Sequence, residues 1–246
     1  MKQIIGGVLI ILIAWSLTSH YRLIDPFFLP PPTETIKELI NLATSGTIMP
    51  DVASTLTKTL TAFLIAALVG IPAGLLIGNC ERIYRTLDFP IDFFRSTPPT
   101  ALFPLFLLAF GISDAPKIAA AAFGGLLIIT FNTAYGVINA NKARIKAAKL
   151  MGASGIKIFT SILLWETLPQ TIVGLRSAIS LSLIVIIVTE MFIGTQHGLG
   201  RRIIDSQITY NTAALYATIL ATGILGYLLN QILRQVERRF AYWTVK

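Results

Sequence analysis

Long apolar stretches alternate with short polar ones along most of the chain. A helix that crosses a bilayer needs about 20 mostly apolar residues, because each residue rises about 1.5 Å through a hydrocarbon core of about 30 Å. The pattern predicts an all-α polytopic membrane protein, a bundle of six transmembrane helices forming one domain over residues 1–246. The six predicted spans are Ile4–Ser19, Thr55–Gly78, Pro98–Gly111, Ala115–Val137, Leu168–Ile193 and Ala213–Leu233.

Two of these segments have alternatives. The third is short and is bounded by Arg95 and Asp114, so it crosses only by using both interfaces, and a re-entrant segment is the other interpretation. The first resembles a signal peptide, but no small-x-small cleavage site follows Leu17, which favours a retained helix.

The segment between the first two spans contains three successive prolines followed by Thr33. Thr33 is predicted to be the N-cap of a short amphipathic helix that continues to Ala43. This helix is too short and too charged to span, so we expect it to lie on the outer surface.

The second predicted span carries Gly70, Gly74 and Gly78 at intervals of four. This spacing leaves a groove on one helix face into which a neighbouring helix fits closely, so helix packing is favoured over a substrate role. Pro72 is expected to kink the same helix.

Composition agrees with membrane insertion. Only 13% of residues are charged and 54% are hydrophobic, whereas soluble domains are about 25% charged. The formal charge of +8 therefore indicates basic loops beside anionic lipid rather than nucleic-acid binding. The single cysteine, Cys80, excludes an intrachain disulfide, and no Cys/His cluster has metal-ligand spacing.

Loop charge predicts the orientation. With the N-terminus in the cytoplasm, the inner segments hold 13 basic residues and the outer segments six, while Arg176 falls within a span. The positive-inside rule thus predicts a multi-pass membrane protein with both termini cytoplasmic.

The segment 141–169 is the longest predicted cytoplasmic loop, and it is basic. Its first half has helical spacing, and Gly152 then predicts a break, after which Ser154 is able to cap the next helix. Two interpretations of this helix stay open on pattern alone: it fits a groove on another protein, or it rests on anionic headgroups.

The same segment resembles the EAA loop of bacterial ABC importer permeases, whose pattern is Glu-Ala-Ala, three residues, then Gly, ending in prolines. The positions that match are Ala147, Ala148, Gly152, Ala153, Ser154 and the distal Pro169, and two positions depart, Lys146 and Trp165. Lys146 stands where the family usually has Glu, which puts one polar contact to the ATPase in doubt. Trp165 stands where the family often has a first proline.

Further short motifs resemble the nitrate/sulfonate/taurine-type permeases in order and spacing over nearly the whole chain. They are Phe28-Leu29-Pro30-Pro31-Pro32, Gly70-Ile71-Pro72-Ala73-Gly74, Arg95-Ser96-Thr97-Pro98, Phe110-Gly111-Ile112, Asn132-Thr133, Gly174-Leu175-Arg176, Thr189-Glu190-Met191 and Gly198-Leu199-Gly200.

The resemblance implies a type I ABC importer permease of the bacterial cytoplasmic (inner) membrane, a non-catalytic transport subunit with no cofactor of its own. It implies a second permease copy, two ABC ATPase subunits that bind ATP and Mg and dock on the EAA loop, and an external solute-binding protein. The chain contains no Gly-x-x-x-x-Gly-Lys-Ser/Thr loop, so ATP hydrolysis is expected from a partner.

Four polar residues in the predicted spans are candidates for the translocation path: Asn132, Thr133, Arg176 and Glu190. A buried carboxylate is costly unless it is paired or hydrated, so we hypothesise that Glu190 shapes the outer path or gate. A water-solvated interfacial residue is the alternative for Glu190, and helix-packing hydrogen bonds are favoured for Asn132 and Thr133.

The implied substrate is a small oxyanion or sulfonate of the nitrate, sulfonate, taurine or bicarbonate type, with a thiamin-precursor pyrimidine or riboflavin as the alternative. An intramembrane serine protease would need Gly-x-Ser-x-Gly, which Gly152-Ala153-Ser154-Gly155 does not match. A secondary transporter or channel would favour mid-span charges and an internal repeat, and neither is evident.

Overall fold

Helices make up nearly all of the structure, a computed structural model that describes residues 2–192 and 194–240. Within those two ranges no strand is present, and the all-α prediction is confirmed. The α-helices are α1 Lys2–His20, α2 Pro32–Thr44, α3 Met49–Asn79, α4 Glu81–Ser96, α5 Phe103–Phe110, α6 Ala115–Ile138, α7 Lys142–Leu150, α8 Gly155–Ile158, α9 Leu164–Glu190, α10 Leu199–Ile208 and α11 Thr212–Phe240. A 3₁₀ turn, Pro99–Leu102, precedes α5, and a π-helical turn, Phe159–Leu163, joins α8 to α9.

Four helical stretches in the described ranges are long and apolar enough to cross a membrane, as judged by length and composition. They are Met49–Asn79, Ala115–Ile138, Gly155–Glu190 and Thr212–Arg239. Two predicted spans correspond to shorter apolar helices, Leu9–His20 and Pro99–Phe110.

The fifth span differs from its prediction at both ends. Helix begins earlier, since α8, the π turn and α9 form one continuous stretch, and Pro169 lies inside α9 rather than at its entry. α9 ends at Glu190, and the predicted end at Ile193 lies outside the described residues.

The predicted cap at Thr33 is wrong. α2 begins at Pro32 with Pro31 as its N-cap, and no side chain caps it. The fixed φ of proline suits the first helical turn, where the missing N–H has no partner to lose. Two other helices, α4 and α10, fall where only loops were predicted.

The chain divides into two compact units. The first comprises residues 1–55 and 190–225, and the second residues 56–189 and 226–246. In the first unit, Leu42 and Ile48 pack with Leu199 and Ala217.

In the second unit the tightest helix packing is between α3 and α6. A Cβ on Gly74 would lie 2.6 Å from the carbonyl oxygen of Thr130, and one on Gly78 would lie 2.7 Å from that of Ala134. Gly70 is less crowded, with Ile129 3.0 Å away. The glycine stripe thus lies at a helix contact where two backbones approach closely.

Candidate functional site

The segment that resembles a coupling loop folds as a helix, a turn and a second helix. Asn141 caps α7, because its side chain accepts hydrogen bonds from the backbone N–H groups of Ala143 and Arg144 at 3.0 and 3.2 Å. This cap satisfies donors that the first helical turn leaves without intrahelical partners.

The turn after α7 depends on Gly152. Its φ is +76°, a left-handed conformation that costs other residues about 1–2 kcal/mol. Ser154 then caps α8, with its hydroxyl accepting from the Lys157 N–H at 3.3 Å. The chain therefore reverses at Gly152 and starts the helix that continues into α9.

The helix α7 presents one face to the chain and another to solvent. Ala148 is buried, and Ile145 packs against Val137, Ala140 and Leu163. Ala148 was predicted as a contact for a partner, but here it packs inside the chain and so fixes the position of α7.

The outer surface of this segment is unusually apolar. Leu150 is 90% exposed, Met151 80% and Ile156 79%. Lys146 and Ala147 are exposed beside them. Large exposed apolar side chains that lie together mark a surface that contacts another protein or a membrane.

One ion pair ties α7 to the following long helix. The Arg144 guanidinium donates to the carboxylate of Glu166, near the start of α9. Lys146 stands where the resembled pattern has an acidic residue, and the carboxylate that reaches α7 comes instead from Glu166.

A second group of polar residues surrounds the N-terminus of α10, within the first unit. Three successive backbone N–H groups, those of Gly198, Leu199 and Gly200, each donate to a side chain from another helix. The acceptors are Asp51 Oδ1 at 3.0 Å, Thr55 Oγ1 at 2.9 Å and Glu190 Oε2 at 3.1 Å.

Glu190 is fully buried at the end of α9. Its Oε2 also accepts from the Thr55 hydroxyl at 2.8 Å. A helix N-terminus carries a partial positive charge and unpaired N–H groups, so it stabilises a buried carboxylate that would otherwise be costly.

The approach of Glu190 explains a glycine in the same cluster. A Cβ on Gly198 would lie 2.6 Å from both carboxylate oxygens of Glu190, which leaves no room for a side chain.

Asp51, which the sequence reasoning missed, joins this cluster to a cation. Arg202 donates through Nε to Asp51 Oδ2 and through Nη2 to the Thr47 carbonyl at 2.6 Å. Asp51 and Thr55 are four residues apart and therefore share a helix face, and this spacing is the only indication of the cluster that the sequence contains. Nothing in the sequence indicates that this face meets Glu190, 135 residues away from Thr55.

The other predicted path residues lie at helix contacts in the second unit. Arg176 pairs with Glu237 of α11 at 2.9 Å, and Asn132 donates to the Ile128 carbonyl of its own helix at 2.9 Å. Thr133 is buried against Gly74, and Gly174 packs against Asn132.

A further charged group lies at the start of α6. Asp114 Oδ1 is 2.9 Å from the buried Lys117 ammonium and 3.5 Å from that of Lys58, also buried. Partial burial raises the pKa of Asp114, but the hydrogen bond from Lys117 and the charge of Lys58 outweigh it, so this pKa lies below its ordinary 3.8.

In residues 2–192 and 194–240 no group of three or more His, Cys, Asp or Glu side chains is placed to hold a metal ion.

Comparison with protein families gives one match over most of the chain. The sequence model of the family described as "Binding-protein-dependent transport system inner membrane component" matches residues 68–242, more than half of the chain.

Several curated proteins are similar in sequence. A taurine transport system permease protein of Escherichia coli is 29% identical over 97% of this chain and 88% of its own length. A putative aliphatic sulfonates transport permease protein of the same organism is 30% identical over 95% and 88%. A nitrate import permease protein of Leptolyngbya laminosa is 31% identical over 76% and 67%.

The fold is similar to that of a chain in the MetNI methionine ABC transporter, solved in inward-facing conformations. The TM-score is 0.69 at 21% identity, over 80% of this chain and 98% of that one.

Proposed function

The chain belongs to the family of binding-protein-dependent transport system inner membrane components, and from this premise we propose how it couples transport to a partner ATPase. It is the permease subunit of an ABC importer. Its role is to form the path of the solute through the membrane rather than to catalyse a reaction.

The observation that carries the coupling proposal is the exposed apolar surface of the α7–turn–α8 segment. The surface consists of Leu150, Met151 and Ile156, beside the exposed Lys146 and Ala147. A cytoplasmic ATPase docks here, and ATP and Mg bind to that partner. Movement of the docked ATPase passes to the long helix, because α8, the π turn and α9 are continuous from Gly155 to Glu190.

The complete importer contains two copies of this permease, two ATPase subunits and an external solute-binding protein. Both termini and the α7–α8 segment lie on the cytoplasmic side of a bacterial inner membrane, in agreement with the excess of basic residues in the inner segments. The stoichiometry follows the sequence resemblance, and the orientation follows the distribution of basic residues.

The proposed substrate is a small oxyanion or sulfonate. Support comes from relatives named for taurine, aliphatic sulfonates and nitrate, two of which match over nearly the full chain. The binding protein selects among such anions, and the permease passes them on.

Co-purification with the ATPase tests the coupling surface. Leu150→Asp places a charge on a side chain that has few contacts within the chain, so the permease is expected to fold normally and to lose most of its bound ATPase. Ile208→Asp is the matched control, because Ile208 is an apolar residue at the end of α10 that is 68% exposed. This variant should retain the ATPase. Equal recovery of ATPase with both variants would exclude this segment as the docking surface.

A further inference from the structure

A groove separate from both polar clusters runs between α3 and α9 in the second unit. Its volume is about 400 Å³, within the range of about 300–1,000 Å³ of small-molecule sites. Ile71 and Leu75 of α3 line one side. The apolar side chains beside it on α3, Leu68 and Leu76, are more than two-thirds exposed, so the described part of the chain leaves them uncovered.

The other side of the groove is a stripe at helical spacing. Thr160, Leu164, Leu168 and Thr171 follow one another at intervals of three or four residues and all line the groove. Thr160 lies inside the π turn, Phe159–Leu163, and Leu164 is the first residue after it. Both side chains still line the same groove across the wider winding of this turn.

Continuing this stripe by one turn towards α8 leads to Lys157, which is exposed. Residues 141–165 contain five basic residues and no acidic one, and Glu166, the first acid that follows, is paired with Arg144. The apolar groove therefore ends at a strongly positive segment.

Trp165 marks the level of this end relative to a bilayer. It lines the groove and is 52% exposed. Tryptophan is enriched at the boundary between hydrocarbon and headgroups. The stretch from Gly155 to Glu190 has 36 residues, about 54 Å of helix, so its Lys157 end extends beyond a hydrocarbon core of about 30 Å.

We infer that this groove is a binding site for an anionic phospholipid. One acyl chain lies between α3 and α9 along Leu164, Leu168 and Leu175. Thr160 lies at the level of the glycerol region, and the phosphodiester lies against the Lys157 ammonium. Apolar volume, an interfacial tryptophan and a cation occur in the order in which a phospholipid presents its acyl chain, its glycerol region and its phosphate. Basic pockets between membrane helices bind anionic headgroups in the same way. The inference requires only that residues 155–190 cross a bilayer, and it does not depend on the transported solute.

Fluorescence quenching of Trp165 tests the site. The full permease–ATPase complex is placed in nanodiscs with brominated phosphatidylglycerol or brominated phosphatidylcholine, and the signal of Trp165→Phe is subtracted to remove the other tryptophans. We expect brominated phosphatidylglycerol to quench Trp165 at about fivefold lower mole fraction than brominated phosphatidylcholine. One lysine near an anionic headgroup contributes about 1 kcal/mol of binding free energy, which corresponds to about a fivefold difference in affinity.

Three variants distinguish lipid binding in this groove from a general attraction of anionic lipid to the basic segment. Lys157→Gln should remove the preference for phosphatidylglycerol, whereas Lys142→Gln, on α7 and off the stripe, should retain it. Thr160→Phe, a filling substitution at an exposed position, should reduce quenching by both lipids. The inference would be overturned if the two lysine variants lost the preference for phosphatidylglycerol to the same extent. It would also be overturned if neither lipid quenched Trp165, because another protein chain would then cover the groove.

Discussion

At the residue scale, Glu190 shows how the structure compensates for the free-energy cost of burying a carboxylate. A buried carboxylate needs donors, and Glu190 finds two on a single oxygen, the Thr55 hydroxyl and the Gly200 amide. The sequence indicated that this residue is unusual, because a carboxylate in an apolar stretch is rare. Its partners were not predictable, since they come from a distant helix and from the backbone of α10.

Substitution of Glu190 is expected to separate folding from transport. Glu190→Leu removes the carboxylate oxygen that accepts from the Thr55 hydroxyl and the Gly200 amide, and loss of hydrogen bonds to buried groups costs about 1–3 kcal/mol each. Glu190→Gln keeps an acceptor oxygen, so the complex should assemble while its solute uptake falls.

Thermal unfolding and uptake are measured on the same preparations, with the exposed Glu34→Gln as control. Normal uptake and ATPase coupling with Glu190→Gln would contradict the hypothesis that Glu190 shapes the outer path.

Asp114 gives a pH-dependent prediction. Because its pKa is lower in the folded chain than in the unfolded one, its ionised form stabilises the fold above pH 3.8, and this contribution is lost as the pH falls through the folded pKa. Asp114→Asn should therefore unfold at a lower temperature than the parent protein at pH 7, and the difference should shrink below pH 3.8.

Unfolding temperatures between pH 7 and pH 3 test this, with Glu81→Gln as the control. Glu81 forms an exposed pair with Arg85, and such pairs contribute little to stability. A difference for Asp114→Asn that stays constant with pH would contradict the role assigned to its charge.

At the element scale, the apolar helices and the two short helices α2 and α7 were predictable, whereas α4 and α10 were not. Hydropathy located α3, α6, α9 and α11, since long apolar runs have few alternatives in a membrane protein. α4 was missed because charged residues and Pro90 interrupt it, and α10 because its ten residues are mostly polar. The Gly152 turn followed from its glycine, whereas the burial of Ala148 depends on packing against residues of other helices.

The glycine stripe gives a graded prediction for the contact between α3 and α6. A Cβ on Gly74 would lie 2.6 Å from both the Thr130 carbonyl oxygen and the Thr133 Cβ, which is closer than van der Waals contact allows. A Cβ on Gly70 would lie 3.0 Å from the Ile129 Cβ and 3.1 Å from the Leu126 carbonyl oxygen, so the neighbouring helix has to shift less. Gly74→Ala should lower the unfolding temperature more than Gly70→Ala.

Gly223→Ala on α11, where a Cβ meets nothing within 4 Å, should leave the unfolding temperature unchanged or raise it. A larger loss at Gly70 than at Gly74 would show that helix spacing is not set by the Gly74 contact.

At the scale of the whole molecule, the family assignment unites features that look unrelated along the chain. The apolar helices are the membrane-spanning part of an importer permease, and the sequence resemblance identified this family before any fold was known. The lipid groove could not be predicted, because its stripe is recognisable only once α3 and the π turn are placed beside it.

ATP-driven uptake in proteoliposomes tests the central claim, that this permease imports a small anion through coupling at the α7–α8 segment. The permease and ATPase are reconstituted with the binding protein outside and ATP inside, and accumulation of labelled taurine, an alkanesulfonate and nitrate is measured. We predict that one of these anions accumulates only when ATP and binding protein are both present, and that Met151→Asp abolishes its accumulation. Uptake without ATP, or undiminished uptake with Met151→Asp, would contradict the account.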